Sequence, residues 1–513
     1  MKRIQKSQVS IWMDKVFRTS FGTTFEAASG MFKQLYIFLV FLCPLCLNGQ
    51  SQSDSAFRRT VKYLENNSKG YEKLKEACAT IGHRLTGSVN GQKAEQFIFD
   101  HLKSIGIEQV RFDSFSFKAW KRNTCQLEIV PYKSDNYVRF DAVSLANTGS
   151  ANGIWHIIDG EDGLQSDLLK KADLIKGKCL IVNLGLSRTD SGRQNLHRAE
   201  KVALALRFGA SAVIFVHPVE SNILLTGTAS LTGDEVSIPA LCVSGLDGKM
   251  IRQWLKSERI MAEMKVQNEI SNGSARNVVA TIQAGIPTKE TILFCGHLDS
   301  WDLATGAVDN GIGAFALLDI AAAIQKEQAV LKRNVVILWT MGEELGLLGS
   351  RHFVSDLKDK RELQSIRAVY NLDMTGNPVG INDFDWPEAS SFFDKVDPCI
   401  ALHVPSFKRS RVHSAELHSD HQPFMLEGIP TFSSVSEMPD SIYRCYHANC
   451  DLINLVRQSD MERSALVHSL LALQLSTSLS LPFSPMNERK LVKWLKKHQL
   501  KEKLEISKEW RWK

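Results

Sequence analysis

The chain has 513 residues, 44% of them hydrophobic and 23% charged, an ordinary globular composition with enough length for more than one domain. Its formal net charge of +6 is small and partly terminal, so charge gives no argument for a nucleic-acid partner. There is no internal repeat, and GAVDNGIG lacks the lysine and the spacing of a phosphate-cradling loop.

Residues 31–50 read MFKQLYIFLVFLCPLCLNGQ. Met31 and Lys33 precede an apolar run, Leu35 to Leu47, of 13 residues. That is too short to cross a bilayer and suits the core of an export signal, with the small polar flank NGQSQSDS behind it. A signal starts at its basic end, so translation is expected to begin at Met31. Residues 1–50 then form an extension plus signal peptide; a short membrane anchor is the alternative. The expected location is outside the cytosol: secreted, extracellular or periplasmic, or within the secretory pathway or lysosome of a eukaryote. Cys43 and Cys46 leave with the signal. The remaining eight cysteines are scattered without a CxxC pair, and export permits disulfides without requiring them. A bridge between Cys445 and Cys450, on either side of His447, is left open. Asn66-Asn67-Ser68 and Asn272-Gly273-Ser274 fit the glycosylation sequon.

Residues 55–112 read as two or three helices. In the last, Ala94, Phe97, Ile98 and Leu102 recur at helical spacing and mark a core face. Arg84, in HRLTGS, could reach the site, but is expected rather to cap a helix or pair with a carboxylate. FDSFSFKAW alternates like a strand. Residues 124–265 differ in character: GKCLIVNL, SAVIFVH and IPALCVSG are short buried strands around the helical AEKVALALRFGA. No cluster of metal-ligating residue types occurs there.

The stretch 291–373 carries the chemistry. Three β-branched apolar runs, TILFC, NVVILW and IRAVYNL, each lead into acidic or imidazole residues. Such runs separated by helical patterns read as buried parallel strands, whose carboxyl ends are where open α/β sheets bind ligands. His297 with Asp299, Glu343 with Glu344, and Asp373 should therefore meet at one sheet edge. Asp309 joins them from the loop before GAFALLDIAAAI. An imidazole among several carboxylates suits a hydrolytic zinc site, and one carboxylate can bridge two metals about 3.5–4 Å apart. Singly, each feature has a plainer reading. Asp309-Asn310-Gly311 passes as a helix cap, and Glu343-Glu344 as a solvated helix start. Their succession after consecutive buried strands weighs against that.

Farther on, HSDHQPFMLEGIPTFS offers His418, Asp420 and His421, a cluster that suits hydrogen bonding more than metal binding. In YRCYHANCDLINLV, His447 and Asp451 are four apart; Asp451 caps the next helix or supports the site. Residues 484–513 are basic, with Leu491, Trp494 and Leu495 at helical spacing. A helix laid on the domain and a helix touching an anionic membrane both fit.

GHLDSWD, GAVDNGIGAF, GEELGLLGS, NLDMTG and YHANCD resemble, over roughly residues 55–480, the co-catalytic di-zinc exopeptidases of the aminopeptidase and glutamate carboxypeptidase type. The resemblance implies an α/β fold, a mostly parallel central sheet flanked by helices, with an inserted protease-associated domain. It implies two zinc ions per chain, with His297 and Asp373 on one, Glu344 and His447 on the other, and Asp309 bridging. Glu343 becomes the general base and Asp299 the acid that orients His297. Asp420 and His421 become substrate contacts. The expected organisation is 1–50 extension and signal, 51–123 with 266–483 peptidase, 124–265 protease-associated domain, and 484–513 basic tail. The inserted domain would roof the cleft and limit substrate size.

The function that follows is a secreted zinc exopeptidase acting at a chain end or on dipeptides. An aminopeptidase with the same metals, and a catalytically silent receptor-like protein, are the alternatives. A single-zinc glutaminyl-cyclase-like transferase fits the five-ligand set poorly. Expected partners are peptides or dipeptides and, as an open alternative, a second copy of the chain; nucleic acid is not among them.

Overall fold

The computed structural model describes residues 44–131, 136–187 and 192–512, with side chains from Ser55 onward. The expectations for the extension and for most of the signal core lie outside the described residues.

Three helices come first: Pro44–Asn67, Gly70–Thr80 and Val89–Ser104. The third starts on Ser88, whose side chain accepts from the Gly91 amide, an N-cap that satisfies one orphan donor. Ala94, Ile98 and Leu102 are buried and Phe97 packs at their edge, as the spacing predicts.

The half that holds residues 291–373 is built on β9 (Thr291–His297), β10 (Asn334–Thr340), β11 (Ile366–Asn371) and β14 (Thr431–Ser436). These run parallel in the order β14-β11-β9-β10. β9 is buried at every residue, which is why it reads as an unbroken apolar run rather than an alternation. The sheet is mixed toward its edges. β12 (Pro378–Asn382) pairs antiparallel to β14, and β8 (Ile260–Ile282) antiparallel to β10. Between the layers lies the helix Ile312–Lys326, with twelve of its fifteen residues buried. Among the described residues, the stretch Ala307–Lys326 is the one helix long and apolar enough to cross a membrane, and it is this core helix.

The inserted region carries its own parallel strands: β4 (Ala151–Asp159), β5 (Cys179–Asn183), β6 (Ala212–Val216) and β7 (Ala240–Val243). Its join to the other half is not a linker. β1 (Val110–Pro131) pairs antiparallel with β8 from Val110↔Ala280 to Pro131↔Ile260. Near one end the ribbon gives Phe115, Val278 and Ala280 to the core around the helix Ile312–Lys326. Near the other it gives Leu127, Ile129, Ala262 and Met264 to the core of the insert. The boundaries expected at 123/124 and 265/266 thus fall inside continuous strands. Alternation looks the same on both sides, so the sequence has no mark where one core hands over to the next.

In the basic tail, Leu491, Trp494 and Leu495 of the helix Glu488–Lys497 are buried, and Trp494 lies 5.5 Å from Trp386 ring to ring. The apolar face is occupied by the domain itself. A second helix, Lys501–Ile506, follows.

Candidate metal centre

β9, β10 and β11 end side by side, with Thr340 opposite His297 and Asn371 opposite Cys295. Their following residues therefore share one edge. His297 closes β9; Glu343 and Glu344 follow β10; Asp373 follows β11. Asp309 arrives on the loop before Ile312–Lys326. That helix can approach because residue 313 is glycine: a Cβ there would sit 2.3 Å from the Leu372 carbonyl oxygen. His447 comes from the loop after β14, with its backbone in the left-handed region at φ 55°.

Asp309 faces both imidazoles, one with each oxygen. Its Oδ1 is 3.3 Å from His297 Nε2 and its Oδ2 is 2.9 Å from His447 Nε2. Asp373 Oδ1 is 3.5 Å from His297 Nε2, and Glu344 Oε2 is 3.1 Å from His447 Nε2. Two donors on one tetrahedral zinc, each about 2.0–2.2 Å from it, lie roughly 3.3–3.6 Å apart. Both triads, His297–Asp309–Asp373 and Asp309–Glu344–His447, are compact enough for one ion each. Glu344 Oε1 is buried without a hydrogen-bond partner, an acceptor that a cation would satisfy. The donor set fits two zinc ions.

The protonation pattern points the same way. Burial alone would lower the His297 imidazole, but Glu343, Asp373, Asp299 and Asp309 outweigh it and hold its pKa well above the ordinary value. Burial, joined by Glu344, Asp373 and Asp420, pushes Glu343 well above the carboxylate range. Burial and Asp309 push Glu344 to about 7. Carboxylates crowded into a shared site resist ionising together; cations relieve that repulsion.

Around the ligands is a supporting layer. His297 Nδ1 lies 3.1 Å from the Asp299 carbonyl oxygen, within hydrogen-bond reach, and 3.6 Å from its carboxylate, just beyond it. Thr86 Oγ1 and the Glu343 amide donate to the Asp299 carboxylate at 2.9 and 3.3 Å. Arg84 is fully buried and plays neither expected part. Its guanidinium donates to the carbonyls of Leu298, Thr305 and Gly306 at 2.6, 2.6 and 2.9 Å, fastening the loop between His297 and Asp309. Asp451 accepts from the Val308 and Asp309 amides at 2.7 and 3.0 Å. It therefore fixes the backbone at Asp309 rather than capping a helix. Asp451→Asn removes one of those acceptors and is expected to weaken zinc binding about 10–100-fold with the fold intact, as read by chelator competition.

Of the expected substrate contacts, His421 lines the cavity in front of the metal ligands. Asp420 does not. It is fully buried beneath the cluster, where its carboxylate accepts from the Thr340 hydroxyl, and burial pushes its pKa to about 6. Its place is behind His297, and sequence gave no sign of that depth.

The cavity measures about 290 Å³ and is lined by Glu343, Asp373, His418, Arg351 and Glu509 among others. The inserted region reaches it through Arg198, 8% exposed, whose Nη2 is 2.9 Å from His447 Nδ1. Gly227, at φ +151°, makes room: a Cβ there would lie 1.8 Å from Arg198 Nε. The Thr226 amide also donates to the His447 carbonyl at 3.0 Å. The insert is thus part of the site wall, although its sequence carries no ligand cluster. Cys445 and Cys450, either side of His447, form a disulfide.

Residues 277–471 match the model of peptidase family M28, and residues 143–251 match that of the PA domain. Carboxypeptidase Q of Mus musculus is 25% identical over 422 residues, spanning 80% of this chain and 86% of that protein. Among solved structures, the peptidase M28 precursor from Shewanella amazonensis SB2B superposes with a TM-score of 0.71 at 19% identity, covering 85% of this chain and all of that one. A zinc aminopeptidase from Bacillus subtilis gives 0.61 at 21% identity, covering 82% and 97%.

Proposed function

We propose, from a chain whose residues 277–471 are a family M28 peptidase domain and whose residues 143–251 are a PA domain, a di-zinc exopeptidase of the carboxypeptidase Q kind that cleaves at a peptide end or splits dipeptides. The observation that carries the reading is Asp309, one carboxylate turned toward two imidazoles at 3.3 and 2.9 Å. His297, Asp373, Glu344 and His447 would complete the two ligand sets. Zinc, when bound, supplies Lewis-acid polarisation of a carbonyl and lowers the pKa of water toward 7.

The protein's own groups do the rest. Glu343 lines the cavity without being one of the five ligands, and its amide is tied to Asp299. In this reading a Glu343 carboxylate oxygen takes the proton of the attacking water as the new C–O bond forms. It returns that proton to the leaving nitrogen as the C–N bond breaks. The cavity of about 290 Å³ is at the small end for ligand pockets, which favours one or two residues over a long chain. The Cys445–Cys450 bridge supports the export read from the apolar run, because disulfides persist in oxidising compartments.

An aminopeptidase uses the same metal set, and the Bacillus subtilis enzyme of that name has the same fold. The test of the shared reading is a zinc-loaded preparation given a free dipeptide and a longer peptide blocked at both ends. The dipeptide is expected to be cleaved and the doubly blocked peptide spared. Cleavage inside the blocked peptide would refute exopeptidase action, and no cleavage of any free-ended peptide would favour a silent receptor.

A further inference from the structure

We infer that Arg351 reads the terminal carboxylate of the substrate, and that Glu509, brought in by the segment Lys501–Trp512, holds Arg351 in position. The inference rests on the exopeptidase reading and gives it a direction.

Arg351 stands in the first turn of the helix Leu348–Asp359, directly after the loop of Glu343 and Glu344. Its side chain lines the same cavity as Glu343 and Asp373. Two of its three nitrogens are committed. Nε donates to the Gly346 carbonyl at 3.0 Å, and Nη1 to Glu509 Oε1 at 2.6 Å. Nη2 has no protein partner among the described residues, and the side chain is 28% exposed. A guanidinium is a rigid planar fork, so fixing two nitrogens fixes the third. The edge that remains, Nη2 with the second Nη1 hydrogen, suits a carboxylate.

Glu509 is itself built in. It is 12% exposed and also accepts from Gln422 Nε2 at 3.1 and 3.0 Å. Gln422 in turn accepts from the His418 amide at 2.7 Å, so one carboxylate joins two walls of the cavity. The segment that carries it is anchored on both halves of the protein. Leu504 and Trp512 are buried with the peptidase core and Ile506 with the core of the insert. Arg511 donates to the Leu426 carbonyl at 2.8 Å. All of this lies beyond residue 471, where the family match ends. Glu509 offsets part of the Arg351 charge, but Gln422 shares that carboxylate, and the geometry leaves a donor edge open. The other guanidinium in the cavity, Arg198, is set against His447 instead.

The test uses the zinc-loaded full chain and three peptides of one sequence: N-acetylated with a free carboxylate, free at the amine but C-amidated, and free at both ends. The unaltered enzyme is expected to cleave the acetylated peptide and spare the amidated one. Arg351→Lys keeps the charge but not the fork. It should lower kcat/KM for the free carboxylate on the order of 100-fold, through KM, with zinc content and melting temperature unchanged. Glu509→Gln should lower it about 10-fold, again through KM, because it loosens Arg351 without removing it. If the unaltered enzyme cleaves the amidated peptide and spares the acetylated one, or if Arg351→Lys keeps its preference, the inference is wrong while the exopeptidase reading stands. If it cleaves none of the three, the exopeptidase reading falls and takes the inference with it.

Discussion

Replacing Glu343 by glutamine lowers turnover by at least about 10²–10⁴-fold and leaves zinc content and melting temperature close to those of the unaltered enzyme. The substitution keeps the shape of the side chain and removes its basicity. Glu343 is not in either ligand triad, so the metals have no reason to leave. Glutamine is neutral and nearly the same shape, so stability should hold. Two solvated glutamates at a helix start would behave otherwise, with small effects at 343 and 344 alike. Zinc by plasma emission, a melting curve and turnover on one free dipeptide decide between these. An active Glu343→Gln enzyme, or one that has lost its zinc, would show that the base is another residue.

Asp309→Ala should do the opposite, losing zinc first and activity as a consequence. Each triad needs this carboxylate, so neither ion keeps a full set without it. Ligand binding to the folded state stabilises it by roughly 2.7 kcal/mol at 100 times the dissociation constant and about 4.1 at 1,000 times. The unaltered protein should therefore melt several degrees lower once a chelator strips it. The variant, already without metal, should show no such drop. A chelator response in Asp309→Ala equal to that of the unaltered protein would mean that the metal sits elsewhere.

The convergence of four candidate site residues was legible because each of them follows a buried strand, and a strand buried on both faces announces itself as an apolar run. His297, Glu343, Glu344 and Asp373 are all read from that one pattern. Asp309 and His447 sit on loops; Asp309 was read from its place before the helix GAFALLDIAAAI, and His447 was given a ligand role only by the resemblance of its motif. What escaped notice depends on contacts far apart in sequence. Arg84 grips carbonyls more than two hundred residues away, at Leu298, Thr305 and Gly306, and an arginine leaves no local trace of such partners. For Asp451 the sequence left a cap and a supporting role both open, because its partners, the Val308 and Asp309 amides, lie more than a hundred residues away. Asp420 was misread for want of depth, since nothing in SDHQPF tells a residue lining a cavity from one beneath it. Arg198 and Glu509 lie in stretches without a metal motif, and only the folded chain brings them to the same cavity.

The ribbon of β1 and β8 has a consequence for motion. Cleft enzymes often open by swinging one domain about a short flexible link, and hinges take up that change in a few loop residues. Here two long paired strands run through both halves, with one irregularity of register between Arg122 and Thr124; away from that point they bend only by breaking ladder hydrogen bonds or by sliding their register, and a slip of one residue would turn every side chain to the wrong face. The inserted region is thus tied to the other half by a β-ladder rather than hung on a string, and little swing between them is expected; on the exopeptidase reading, that stiffness would favour short peptides over folded proteins.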